Sequence, residues 1–186
     1  EKTVEYILTM EKAGADLIEI GIPFSDPTAE GVVIQDANIR ALKAGTTTDK
    51  IFEIVKEVRK TSQIPLVFLT YLNPVFHYGY EAFFKKCKEY QVDGLIIPDL
   101  PYEEKHEVTD VADQYGVDII SMIAPTSKQR IQMIASEAKG FIYIVSSMGV
   151  TGQKATFHKS VIDYLGSVKA VSKIPVMMGF GIRTAE

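Results

Sequence analysis

Hydrophobic and polar positions follow two alternating patterns along the whole chain. Short apolar runs rich in β-branched residues, such as residues 65–71 and 93–99, predict strands. The other runs of this kind are residues 16–22, 118–123, 141–146 and 175–180. Because consecutive positions in them are apolar, these runs are typical of parallel strands that are buried on both faces. The pattern therefore predicts six buried parallel strands.

The segments between these strands have the periodicity of amphipathic helices. Ile51, Ile54, Val55 and Val58 follow the i, i+3, i+4, i+7 spacing of a single helix face. The same spacing recurs at Val108, Val111, Ala112 and Tyr115, at Ile131, Ile134, Ala135 and Ala138, and at Val161, Tyr164, Leu165 and Val168. A further helix is predicted over residues 3–13, and Gly116 and Gly140 are placed to end two of the helices.

Regular strand–helix alternation allows either an open doubly wound sheet or a closed (β/α)₈ barrel. A G-x-G-x-x-G turn after the first strand would favour the open sheet, and none is present. We therefore expect an α/β fold of the (β/α)₈ TIM barrel type, forming a single domain over residues 1–186. Six central β/α units are visible, and we expect the first and last strands of the barrel to lie outside this sequence.

Composition and charge argue against nucleic-acid binding, membrane spanning and disulfide bonding. The formal net charge is −4 over 186 residues, and no basic block suggests a nucleic-acid partner. The apolar runs are too short to span a membrane. The single cysteine fits a reducing cytoplasm. Cys87 lies at helical spacing from Phe83 and Phe84, so we interpret it as core filling rather than as a nucleophile.

Glu19 is the most conspicuous polar residue, because it interrupts the apolar run at residues 16–22. Strand alternation puts Glu19 on the face opposite Ile18 and Ile20, which suit a helix layer. Glu19 then faces the barrel mouth, where the loops after the strands form active sites. Desolvation there should raise its pKa and suit it to proton transfer. A structural glutamate paired with Lys or Arg is the alternative, but no basic residue lies in the six strands.

Other strand ends carry polar or small residues. Tyr71 ends one predicted strand and is followed by Asn73, and Tyr143 precedes Ser146 at the end of another. Taken alone, each tyrosine is better explained by a core or rim position. Asp99, between Pro98 and Pro101, fits a cap of the next helix and a functional role equally well. Backbone N–H groups at residues 179–181 are suited to bind phosphate, and the glycine-containing loop at residues 146–156 is suited to act as a lid.

Two chemistries are disfavoured by the residue pattern. A Schiff-base aldolase needs a lysine on a barrel strand, and every lysine here falls on a predicted helix or loop. His77, His106 and His158 lack the spacing of metal ligands, so we expect no metal site.

Five stretches resemble, in order and spacing, the tryptophan synthase alpha subunit family. They are GADLIEIGIPFSDPTAEG, LTYLNPVFHYG, GLIIPDLPYEE, GFIYIVSSMGVTGQ and PVMMGFGI. The resemblance implies a (β/α)₈ barrel that cleaves indole-3-glycerol phosphate to indole and glyceraldehyde 3-phosphate without a cofactor. It also implies an alpha2-beta2 assembly, in which a beta subunit carrying pyridoxal phosphate receives the indole through a tunnel.

The resemblance also implies roles for individual residues. Glu19 would be the catalytic acid/base, and Glu30 would accept the indole N–H and stabilise positive charge on the ring. The substrate pocket would be formed by Leu69, Tyr71, Ile96, Met122, Tyr143 and Phe180, with Thr151 as the lid residue. Gly152 and Gly181 would bind the phosphate through backbone N–H groups. Pro23, Asp26 and Asn73 would face the beta subunit.

One position departs from the family pattern. The family has Asp-Gly-Pro where this chain has Glu30, Gly31 and Val32. The added methylene moves the carboxylate by about 1.2–1.5 Å, and a misplacement near 1 Å can cost about a hundredfold in rate. The chain is therefore either a slow lyase or one whose lid has adjusted. A catalytically weak alpha subunit that serves its beta partner, and another phosphosugar-binding barrel enzyme, remain as alternatives.

Overall fold

The computed structural model describes residues 2–124, 128–145 and 159–179. Two compact units are present, one formed by Glu1–Asp26 with Asn38–Ile119 and the other by Pro27–Ala37 with Ile120–Glu186. Each unit contains parallel strands and helices. No helix among the described residues has the length and apolarity required to cross a bilayer.

The first unit is built on a four-stranded parallel sheet. Its strands are β1 (Ile18–Gly21), β2 (Leu66–Leu69), β3 (Gly94–Ile96) and β4 (Asp118–Ile119), and they lie side by side in chain order. Sequential order is expected for a (β/α)₈ barrel, whereas a doubly wound sheet reverses its order at a switch point. The prediction of parallel strands is confirmed.

Helices connect the strands of this unit. Their bounds are α1 (Lys2–Lys12), α2 (Val32–Lys43), α3 (Thr48–Arg59), α4 (Leu72–Tyr78), α5 (Tyr80–Glu89) and α6 (His106–Tyr115), with a 3-10 turn at Tyr102–Glu104. Helix α2 belongs to this unit only from Asn38 onward. Thr47 caps α3 by accepting a hydrogen bond from the Lys50 N–H, and Gly116 ends α6 in the left-handed conformation. The predicted helices at α1, α3 and α6 are therefore present, and α2 and α4 are additional.

One hydrophobic core lies between this sheet and its helices. Ile18 and Ile20 of β1 pack in a cluster that includes Val55 of α3 and Phe68 of β2. Cys87 of α5 is fully buried in the same cluster. Each fully buried side chain of this size contributes about 1.5–3 kcal/mol. The core fixes the sheet, so that residues on the opposite face of β1 are held in place.

The second unit contains a three-stranded parallel sheet. Its strands, again in chain order, are β5 (Ser121–Ile123), β6 (Ile142–Val145) and β7 (Val176–Gly179). The helices are α7 (Lys128–Glu137) and α8 (Lys159–Val171), which pack against each other. Ile142 and Ile144 on one face of β6 are fully buried, whereas Tyr143 on the other face is partly exposed.

The strands are shorter than the sequence predicts, and one run that was predicted to be a single strand is divided into two. The run at residues 118–123 forms two strands, β4 and β5, separated by Ile120. Strand β2 ends at Leu69 because the chain turns into α4, whose Pro74 lies in the first turn, where a missing N–H costs nothing. Strand β3 ends at Ile96, before Pro98. Tyr71 and Asp99 therefore lie beyond the strand ends, in loops.

Candidate active site

The exposed face of β1 carries Glu19. Ile18 and Ile20 point into the core, and the alternation of the strand leaves Glu19 and Gly21 on the opposite face. This is the orientation that the sequence predicts for Glu19 relative to the helix layer. A Cβ added at Gly21 would meet no atom within 4 Å, so open space lies on the Glu19 face of the sheet.

Apolar residues from the next two strands lie beside this space. Gly21 is paired in register with Leu69, and Leu69 with Ile96, so that the three residues share the Glu19 face. Glu19 itself is paired with Val67, which is buried. A carboxyl group is thus set on an otherwise apolar surface formed by three adjacent strands, on which Leu69 is partly exposed and Ile96 is fully buried.

The electrostatic environment of Glu19 is unusual for an exposed carboxylate. Its side chain is reached by solvent, and yet desolvation by the surrounding protein raises the pKa of Glu19. Both observations fit a carboxyl group that opens to solvent on one side only. Within the described part of the chain, Glu19 forms no ion pair or hydrogen bond. The alternative of a structural glutamate neutralised by Lys or Arg has no support among these residues.

Tyr71 lies two residues after the end of β2, directly before α4, and is only 3% exposed. Its ring packs on Phe24 from the loop after β1, with ring centroids 5.5 Å apart. The backbone N–H of the following residue, Leu72, donates to the Asp99 carboxylate at 2.9 Å. Asp99 therefore caps α4, which precedes it in the chain, whereas the sequence left a cap of the next helix and a functional role equally open. The sequence analysis did not identify Phe24 as a site residue, although its position next to Pro23 in the loop after β1 could have indicated it.

The residues predicted to face a partner lie on the surface of the first unit. Asp26 is exposed and accepts a hydrogen bond from the Ser25 hydroxyl, and Asn73 is exposed in the first turn of α4. Pro23 is partly buried in the loop that follows β1. Exposed side chains of this kind are available for contact, and the role predicted for them stays a prediction.

In the second unit, Met122 and Tyr143 lie side by side. Met122 is paired with Tyr143, and Tyr143 with Met177, on one face of the sheet. The Tyr143 ring extends over Gly179, where a Cβ would overlap with the phenol oxygen and ring carbons of Tyr143. Gly179 thus has a steric reason to be glycine, which the sequence pattern did not reveal.

Glu30 also belongs to the second unit and is only 6% exposed. Its backbone carbonyl accepts a hydrogen bond from the Gln35 side-chain amide at 2.9 Å. The N–H groups of Ile34 and Gln35 donate to the Gly31 carbonyl, which starts α2 directly after Glu30. Glu30 is therefore a buried carboxyl residue held at the beginning of a helix.

Four predicted site residues and the predicted lid lie outside the described residues. The described residues do bear on a metal site and on a nucleophilic cysteine. The residues outside are Thr151, Gly152, Phe180 and Gly181, together with the predicted lid at residues 146–156. In the described ranges, no three His, Cys, Asp or Glu side chains are grouped to hold a metal ion. Burial raises the pKa of the Cys87 thiol, which keeps it protonated and unsuited to nucleophilic attack.

The comparisons with known proteins agree with this geometry. The family model for the tryptophan synthase alpha chain matches residues 1–186. The chain belongs to the tryptophan synthase alpha chain family. The alpha chain of Lacticaseibacillus casei is 50% identical over 186 residues, which are 100% of this chain and 70% of that protein. The alpha chain of Alkaliphilus metalliredigens is also 50% identical, with the same coverage.

Solved structures of tryptophan synthase show the same fold. A structure from Pyrococcus furiosus, described as an a2b2 complex, has a TM-score of 0.88 and 36% identity, covering 97% of this chain and 73% of that chain. The alpha chain of Legionella pneumophila has a TM-score of 0.84 and 41% identity, covering 98% of this chain and 66% of that chain. The structural neighbours are TIM barrels, so the prediction of a (β/α)₈ fold is confirmed.

Membership in the tryptophan synthase alpha chain family establishes the general role. The known role of the family is cleavage of indole-3-glycerol phosphate, and this chain has a lyase role in tryptophan synthesis. The alternative of an unrelated phosphosugar-binding barrel enzyme loses its basis with this match. The roles of individual residues do not follow from the match alone.

Proposed function

We propose that this chain is a carbon–carbon lyase that splits indole-3-glycerol phosphate into indole and glyceraldehyde 3-phosphate. The bond that breaks joins indole C3 to the first carbon of the glycerol chain. The hydroxyl proton on that carbon leaves as the aldehyde forms, and C3 of the ring takes up a proton. Atoms balance without water or a redox partner, so acid/base groups and charge stabilisation are sufficient for the reaction.

Glu19 is the proposed acid/base. Its pKa is raised by desolvation, so Glu19 holds its proton to a higher pH than an ordinary glutamate does. Its position beside the open space at Gly21, with Leu69 and Ile96 on the same face, supports contact with an apolar ring. Desolvated carboxyl groups without a basic partner are common at sites of proton transfer. This environment of Glu19 is the observation that carries the proposal.

Glu30 is proposed to accept the indole N–H and to stabilise the positive charge that develops on the ring as C3 is protonated. Its burial supports this role, because a carboxylate acts more strongly on a nearby charge where water is excluded. The residues proposed to contact indole are Leu69, Tyr71 and Ile96 in the first unit, Met122 and Tyr143 in the second unit, and Phe180. Thr151 is the proposed lid residue, and Gly152 and Gly181 are the proposed phosphate ligands.

The beta subunit of tryptophan synthase is the proposed partner, in an alpha2-beta2 assembly. The similarity to the P. furiosus a2b2 complex supports this, and the exposed Asp26 and Asn73, with Pro23, are the proposed contacts. The alpha chain of the family has no cofactor of its own, and pyridoxal phosphate belongs to the beta subunit. The proposed location is the cytoplasm, on the ground that the single cysteine is an unpaired thiol.

An assay of indole release from indole-3-glycerol phosphate tests the proposal. Wild-type protein should release indole, and Glu19→Gln should lower kcat by about 10²–10⁴-fold because the amide cannot exchange a proton. Glu89→Gln, at an exposed position at the end of α5, is the control and should leave the rate within about twofold. Equal rates for wild type and Glu19→Gln would overturn the role of Glu19.

A catalytically weak alpha subunit that mainly activates its partner is the second candidate. The observation that favours it is Glu30 in place of the family's aspartate. Absence of indole release, together with stimulation of a beta subunit, would support this second function over the first.

A further inference from the structure

We propose that Asp99 is a positioning residue, which holds Tyr71 in place for the substrate by binding the backbone just after it. The inference rests on the proposed function, in which Tyr71 lines the indole pocket. Asp99 does not act on the substrate in this proposal. Its carboxylate acts on the Leu72 N–H, to which it is bound at 2.9 Å.

Helix α4 needs a cap that its own sequence does not supply. The first N–H groups of a helix have no acceptor within the helix, and a preceding Ser, Thr, Asp or Asn usually provides one. The residue in that position is Tyr71, which makes no side-chain hydrogen bond to the helix. Asp99 supplies the missing acceptor, although it lies 27 residues later in the chain.

The bond to Asp99 also extends the pairing of β2 with β3. Along a parallel strand, every second N–H donates to the same neighbouring strand. Thr70 donates to the Ile96 carbonyl at 3.0 Å, and the next N–H on that side belongs to Leu72. The chain after β3 turns at Pro98, so a side-chain oxygen of Asp99 takes the place of the next backbone carbonyl. One hydrogen bond is thereby added beyond the end of the strands.

Tyr71 is consequently fixed on both sides. The N–H groups of Thr70 and Leu72 are both bound from the β3 side, and the Thr70 hydroxyl donates to the Tyr71 carbonyl at 3.3 Å. The ring is buried against Phe24. Loss of the hydrogen bond to the Leu72 N–H would release the backbone next to Tyr71, and the Tyr71 ring would no longer be held in one orientation. The pairing of β2 with β3 would remain.

The same strand offers a matched control. At the opposite end of β2, the Leu66 N–H donates to the Asp93 carboxylate at 2.8 Å. Asp93 also forms an ion pair with Arg59, so its removal should cost at least as much stability as removal of Asp99. Asp93 lies before β3, at the amino end of the sheet, far along the strand from Tyr71. A loss of stability would therefore appear in both Asp93→Ala and Asp99→Ala, whereas a loss of substrate binding would appear only in Asp99→Ala.

The experiment measures indole release for Asp99→Ala, Asp99→Asn and Asp93→Ala, with rates expressed per folded molecule. Asp99→Ala should lower kcat/KM about tenfold, mainly through a higher KM, because a contact with the bound substrate is misplaced. Asp99→Asn keeps an oxygen acceptor and should stay within about twofold of wild type. Asp93→Ala should melt at a lower temperature and keep kcat/KM within about twofold.

A double variant tests whether Asp99 acts through Tyr71. If it does, adding Asp99→Ala to Tyr71→Ala should change kcat/KM by less than about twofold, whereas independent effects would multiply. A full tenfold further loss would contradict the inference, as would equal kinetic losses in Asp99→Ala and Asp93→Ala or unchanged kinetics in Asp99→Ala.

Binding of the uncleavable analogue indole-3-propanol phosphate separates this inference from the proposed function. If wild type binds the analogue without releasing indole, the proposed catalysis fails, and weaker binding by Asp99→Ala still supports the positioning role. If wild type releases indole and Asp99→Ala binds the analogue as wild type does, only the positioning role fails. If wild type neither binds nor cleaves, both are overturned.

Discussion

Glu19 illustrates how desolvation without an ion-pair partner changes the chemistry of a single residue. Because desolvation raises the pKa of Glu19, the folded chain binds its proton more tightly than the unfolded chain does. Activity that needs the ionised form should therefore fall, as pH decreases, at an ionisation above the reference value for Glu of about 4.3. A pH–rate profile of kcat measures this directly, and a profile that is flat down to pH 4 would contradict it.

The raised pKa of Glu19 also predicts that Glu19→Gln, which loses activity, gains thermal stability. With a raised folded pKa, the contribution of Glu19 to stability is present below the unfolded pKa and is lost as pH rises through the folded pKa. Glu19→Gln should thus melt at a higher temperature than wild type at pH 8, with the difference vanishing towards pH 4. Thermal unfolding of both proteins across that range is the measurement, with Glu89→Gln as the control.

Glu30 provides a second prediction at the scale of one residue. If the added methylene displaces its carboxylate from the indole N–H, Glu30→Asp should raise kcat, up to about a hundredfold. Steady-state indole release is the measurement. Unchanged or lower turnover in Glu30→Asp would contradict the slow-lyase interpretation and favour an adjusted lid.

Gly179 and Tyr143 are predicted to behave as a pair. Gly179→Ala places a methyl group where the Tyr143 ring lies, and overpacking of this kind costs about 1–3 kcal/mol. Adding Tyr143→Val to Gly179→Ala should restore part of the stability, measured as the free energy of unfolding. Gly166→Ala is the matched control, because a Cβ on Gly166 in α8 meets no atom within 4 Å, and it should be neutral or stabilising.

Among the elements, α5 packs into the core of the first unit through three buried side chains. Phe83 is fully buried, and its ring packs on Phe52 with centroids 5.4 Å apart and on Tyr78 at 5.7 Å. Phe83→Ala should lower the free energy of unfolding by about 3–5 kcal/mol. Phe76→Ala in α4, where the side chain is 62% exposed, should cost less than about 1 kcal/mol. Urea denaturation distinguishes the two, and equal losses would contradict this account of the core.

Sequence periodicity predicted the elements that have a buried face and missed the others. The stripe at Ile51, Ile54, Val55 and Val58 became α3, since these side chains pack in the core. Helix α2 contains no buried residue, and its exposed Val32, Val33 and Ile39 follow no single stripe, so periodicity did not reveal it. Helix α4 spans two turns only, and its cap comes from a distant aspartate. Such a contact leaves no local sequence signal.

At the scale of the whole molecule, the strand order and the face on which Glu19 lies were both predictable. Strand order follows from right-handed β-α alternation, and the Glu19 face follows from a two-residue period. The steric role of Gly179 and the capping role of Asp99 depend on contacts between segments that are distant in the chain, which one sequence does not specify. The single-domain organisation stays a prediction.

The assembly provides the last prediction. If Asp26 contacts the beta subunit, Asp26→Ala should weaken binding of that subunit by about tenfold, a typical cost for a charged contact at an interface. Indole release by the isolated chain should stay within about twofold of wild type. Titration calorimetry with the beta subunit gives the affinity, and Asp110→Ala, an exposed carboxylate on α6, is the control. Unchanged affinity in Asp26→Ala would remove Asp26 from the interface.

The fit between Tyr143 and Gly179 has a consequence for how this protein can change over evolutionary time. A lineage in which position 179 acquires a side chain first would pass through a poorly packed intermediate, whereas one that first shortens position 143 leaves room for the later change. The order of substitutions is therefore constrained, and the two codons are expected to vary together among natural homologues.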